Sequence, residues 1–76
     1  MKAKNRKLRA ILDDLNRTQS WLSAQSKVKL WKVNQHIIHG YPLKDKERSA
    51  IVEALNRVLP PWSAVDQEKV FDGLEG

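Results

Sequence analysis

The chain offers few places where chemistry could reside. His36 and His39 stand three residues apart, a spacing that can grip a metal ion from one helix when a third ligand reaches it, but no carboxylate lies between Lys29 and His39. Cysteine is absent, which excludes disulfides and thiolate metal sites. Asp13 and Asp14 read as solvated residues at the edge of an apolar stripe. The three glycines, at 40, 73 and 76, form no phosphate-cradling loop. The expectation is therefore no catalytic residue, no metal, no cofactor and no enzyme. What remains is hydrogen bonding. Lys29, Lys32, Gln35, His36 and His39 share one side of a helical wheel, and lysine and glutamine are the side chains that donate to guanine O6/N7 and pair with adenine N6/N7. For an arbitrary basic helix, the plainer reading is a solvated face.

The elements that must carry these groups are helical. Leu8, Ile11, Leu12 and Leu15 repeat at i, i+3, i+4, i+7 and predict a first helix over residues 5–16. Thr18 is an N-cap for a short second helix to about Gln25, carrying Trp21, Leu22 and Ala24. After Ser26-Lys27-Val28, a third helix spans about residues 29–39, with Leu30, Val33, Ile37 and Ile38 on its apolar side and Trp31 at the margin. Asn34 points toward that apolar side and predicts a structural hydrogen bond to a neighbouring helix end. Gly40 and Tyr41-Pro42 stop the helix. A fourth, capped near Asp45, buries Ile51, Ala54, Leu55 and Val58 before Pro60-Pro61. Ser63 with Asp66 predicts the cap of a fifth, bearing Val65, Val70, Phe71 and Leu74. No alternating strand pattern longer than four residues occurs, so the fold class is all-α, with four or five short helices.

Size and charge narrow the partners. With 76 residues the chain fits one small domain, whose core supplies only about 3–5 kcal/mol and favours a second subunit. Residues 1–58 hold 13 basic and 5 acidic side chains, whereas 59–76 hold one and four, so a body of net +8 carries a tail of net −3. The body suits a polyanion through counterion release, and the tail does not. No apolar run approaches the roughly 18 residues of a membrane span, and the basic N-terminus lacks a secretory signal, so no membrane partner and a cytoplasmic, nucleoid-associated location are expected.

Two short helices joined by about three residues, the second polar and basic outside a buried stripe, have the layout of a helix-turn-helix. Gln19 opening helix two, Leu22 three residues on, then Val28 and Val33 resemble the lambda-repressor and Cro-like family over residues 7–59. Ser23 serves as that family's small residue, but Lys27 stands where the turn usually has glycine, and Gly40 comes one residue late. A left-handed Lys27 costs on the order of 1 kcal/mol. The resemblance implies a lambda-repressor-like bundle with Lys29, Lys32, Gln35 and His36 facing bases in the major groove. Phosphate contacts would come from Thr18, Gln19, Ser20 and Lys27, from Tyr41 and Lys44 with Lys46, and from a basic arm, residues 1–6, through Lys4 and Arg6.

The function this implies is sequence-specific binding of double-stranded DNA by a small regulator, expected to be a repressor of phage or mobile-element type. As a homodimer it would read a palindromic operator with half-sites about 34 Å apart. Trp21 and Trp31 are expected to pack together or against helix four. Trp62, behind two prolines in the C-terminal segment 60–76, predicts a dimer contact with Val52, Leu59 and Phe71. The competing readings are an antitoxin-type autoregulator holding a toxin near Trp62 and Phe71, a DNA-bending recombination accessory protein, and a helical module binding an acidic protein. RNA is disfavoured because no exposed aromatic is expected on helix three.

Overall fold

A computed structural model describes residues 4–71, and these are all-helical. Residues 1–3 of the expected arm and Leu74 of the expected fifth helix lie outside them. The elements are α1 (Arg6–Leu15), α2 (Gln19–Ser26), α3 (Leu30–His39), α4 (Asp45–Asn56), a 3-10 turn (Pro61–Ser63) and α5 (Gln67–Phe71).

Local chemistry sets the boundaries. Asn5 caps α1, its Oδ1 accepting from the Leu8 N–H at 3.0 Å, and Asn16 closes the helix in the left-handed region, which asparagine tolerates. Thr18 caps α2 as its type predicts, Oγ1 accepting from the Trp21 N–H at 3.0 Å. Lys27 takes the left-handed conformation, φ 62°, that ends α2 and turns the chain toward α3. Two serines stitch that turn: Ser23 Oγ donates to the Val28 carbonyl at 2.6 Å, and Ser26 Oγ donates to the Leu22 carbonyl while accepting from the Val28 N–H. Val28 is thereby fixed in the core directly before α3.

Two capping expectations change. At α4 the N-cap is Lys44, not Asp45, and Glu47 reaches back so that its Oε1 accepts the Lys44 N–H at 2.9 Å. At α5 the cap is Asp66, whose Oδ1 accepts from the Lys69 N–H; Ser63 ends the 3-10 turn instead.

α2 packs on α3 and α4, α1 on α3 and α5, and α4 on α5. Leu8, Leu22, Val33, Ile51 and Leu55 are fully buried at the centre, with Val70 and Phe71 closing one end. Asn56 holds the returning chain against α4: its Nδ2 donates to the Val65 carbonyl at 2.9 Å and its Oδ1 accepts the Val65 N–H at 2.8 Å. Phe71, expected at a dimer surface, is therefore buried in the core of its own chain, edge-on to the His36 ring at 5.2 Å. Val52 and Leu59 are half-buried against the same core. Val58 is exposed rather than buried because α4 ends at Asn56, two residues before it.

The expected arm is also altered where it is described. Asn5 is buried; its backbone N–H donates to the Ile37 carbonyl at 3.0 Å, and Lys4 packs its stem beside Gly40. Residues 4 and 5 are thus anchored to the end of α3.

Candidate nucleic-acid interface

The outward groups cluster where α2 begins and α3 begins. Thr18, Gln19 and Ser20 from α2 and its cap line one open groove with Leu30, Trp31 and Asn34 of α3. A side-chain bridge fixes the two walls: Asn34 Nδ2 donates to Gln19 Oε1 at 3.1 Å, the interhelical bond expected for Asn34. A second groove is lined by Ser26, Lys27, Val28, Lys46, Glu47 and Ala50, which brings Lys27 and Lys46 to a common depression between the α2–α3 turn and α4.

The four expected base readers fare differently. Lys29 is exposed at the N-cap of α3. Lys32 is turned toward α4, its Nζ 3.0 Å from Glu47 Oε2 and 5.8 Å from the centre of the Trp31 ring. The Lys44 N–H and, after it, the Lys32 ammonium hold the Glu47 carboxyl below the ordinary carboxylate value. Gln35 is half-buried one helical turn beyond Trp31.

His36 is the clear correction, being 3% exposed. Asn5 Nδ2 can only donate, so His36 Nε2 accepts from it at 2.8 Å, and Nδ1–H must then donate to the Tyr41 carbonyl at 2.8 Å. Burial above all pushes its pKa down, with nearby Arg48 acting the same way against the opposing pull of the Tyr41 carbonyl. His36 is a neutral clamp joining α1, α3 and the loop after α3. Both ring nitrogens are committed, so it offers nothing to a base or to a metal.

Two residues assigned inward turn out. Leu30 is 45% exposed and Trp31 51%. Val28, whose backbone is held by the two serines, is the apolar residue buried just before α3, and Leu30 is left exposed. Trp31 does not pair with Trp21; it meets Tyr41 edge-on at 5.4 Å, while Trp21 lies half-buried on the core under the Arg17 guanidinium. The signal available for Leu30 was Val28 itself, a second apolar residue just before the helix competing for one site.

Of the expected phosphate contacts, Thr18, Ser20, Lys27, Tyr41 and Lys44 are exposed and Gln19 half-buried, all near α2 or either end of α3. Arg6 is exposed, and Lys4 sits at the opposite, C-terminal end of α3. Among the described residues no three His, Asp or Glu side chains converge as metal ligands, and no helix is long and apolar enough to cross a membrane. Compared with protein families, curated proteins and solved structures, the chain matches none.

Proposed function

We propose that the chain is a small DNA-binding regulator in which α2, the Lys27 turn and α3 act as a helix-turn-helix and α3 enters the major groove of B-form DNA. The observation that carries this reading is the outward first turn of α3, backed by buried Val28 and Val33 and braced to α2 through Asn34 and Gln19. Lys27, Lys29, Lys44 and Lys46 are exposed around it. A ridge of helix width with hydroxyl and amide donors on one flank and lysines on the other matches a groove about 12 Å wide between two rows of phosphates.

Selection from random duplexes followed by a salt titration tests it. A convergent site is expected, with log affinity falling by about 0.9 per phosphate contact for each unit of log salt, at roughly four to six contacts per subunit. Failure to enrich any sequence, with binding indifferent to salt, would refute the reading.

A second copy completes the proposal, because one motif of this size buries too little surface for an operator. Trp62, 87% exposed behind Pro60 and Pro61, is the large apolar side chain least accounted for by its own chain. Contact there with a second copy, or with a toxin-like protein, would be read by sedimentation before and after Trp62→Ala.

A further inference from the structure

We propose that α3 recognises the C5-methyl groups of thymines, through Leu30 and Trp31, rather than guanines through its lysines. The inference rests on the DNA-binding reading above and specifies the chemistry of the bases it selects.

The argument is one of elimination along the exposed face. Lys32, the lysine best placed by sequence to reach a guanine, has its Nζ engaged by Glu47 at 3.0 Å and poised over the Trp31 ring. Releasing it would forfeit the ion pair and leave Glu47, itself anchored by the Lys44 N–H, without its cation. Lys29 stands at the N-cap, off the end of α3, alongside the exposed Lys27; that location suits a phosphate rather than the floor of the groove. His36 is buried. Within the first turn of α3 itself the exposed side chains are apolar, Leu30 at 45% and Trp31 at 51% exposure.

The major groove displays one apolar group on its base pairs, the thymine methyl. Trp31 is not a loose side chain: Tyr41 meets it edge-on at 5.4 Å, and Lys32 covers part of its ring. A preset indole gives up little rotational freedom on contact. The lysines about it supply the charge complementarity that a nucleic acid has and an apolar protein surface lacks. Gln35, one turn further along the same helix, provides an amide of the kind that pairs with adenine, so thymine and adenine steps are expected side by side in the half-site.

The test uses the full chain and the duplex recovered by selection, with each thymine replaced singly by deoxyuridine, which removes the methyl and keeps every hydrogen-bonding group. At one or two thymines per half-site, wild-type affinity should fall about three- to tenfold, the scale of one buried methyl. Placing 5-methylcytosine for cytosine elsewhere should have no such effect. In Leu30→Ala and Trp31→Ala the difference between thymine and deoxyuridine should shrink to less than twofold at the position each side chain touches. Thermal melts of both variants serve as a folding control. Equal affinity for thymine and deoxyuridine duplexes, with a normal salt slope, overturns this proposal and leaves DNA binding standing. Absence of binding to any duplex overturns both.

Discussion

The two halves of α3 carry similar polar residues and do opposite things. At its first turn Lys29, Leu30 and Trp31 are exposed, while Val33 beneath them is buried and the Lys32–Glu47 pair ties the turn to α4. At its last turns His36 and Ile37 are buried, Asn5 bonds to both of them, and Phe71 closes over the imidazole. One end is left open and the other is anchored. Helical periodicity alone does not distinguish them, because it reports direction around an axis and not what lies beside each turn.

Separating stability from binding sharpens that contrast. His36→Ala should destabilise the protein by about 2–4 kcal/mol, since it opens a cavity and strands the Asn5 amide and the Tyr41 carbonyl; chemical denaturation measures this. Trp31→Ala should do the reverse, costing about 1–3 kcal/mol of affinity for the selected duplex with a melting temperature close to wild type. A Trp31→Ala variant that unfolds, or a His36→Ala variant of unchanged stability, would erase the distinction between the two ends.

Mild acid should act on the anchored end through His36. Burial lowers the folded-state pKa of His36 below the ordinary 6.5, so between those two values the unfolded chain binds more protons than the folded one. Stability from this residue is complete above about pH 6.5 and declines as pH falls toward the lowered value. Melting temperatures between pH 7.5 and 5 should fall, and the part due to the imidazole should vanish in His36→Gln. A profile identical in both proteins would contradict the clamp.

Smaller effects probe the outward end. Lys27→Gly relieves a left-handed lysine and should raise stability by up to about 1 kcal/mol, read by denaturation. Glu47→Gln should cost under about 1 kcal/mol of stability, as surface ion pairs do, while releasing Lys32 and tightening binding to random duplex. Unchanged non-specific affinity in that variant would show that Lys32 lies too far from the phosphates to matter.

Much of this fold is legible in the residue order. The stripe of Leu8 and Leu12, the Thr18 cap and the left-handed Lys27 all depend on residues near in sequence or on one face of one helix; for Asn34 the apolar-side placement is readable in the same way, though not its partner Gln19 on α2. What is not legible depends on distant partners. His36 is buried because Asn5, 31 residues earlier, supplies a donor, and Lys32 is diverted by Glu47, 15 residues later. Phe71 enters the core because the Asn56 bonds to Val65 fold the chain back onto α1 and α4. On the expected face His36 is therefore withdrawn into the core and Lys32 is paired, while Leu30 and Trp31, expected inward, are exposed.

The central claim, that the first turn of α3 touches bases, is tested most directly by amide and indole NMR signals of the full chain titrated with its selected duplex. The account predicts the largest shifts at Lys29–Asn34 and Thr18–Ser20, with contacts from the Leu30 methyls and the Trp31 indole to major-groove thymine methyl protons. Shifts centred instead on Val58–Trp62, with Leu30 and Trp31 unmoved, would contradict it.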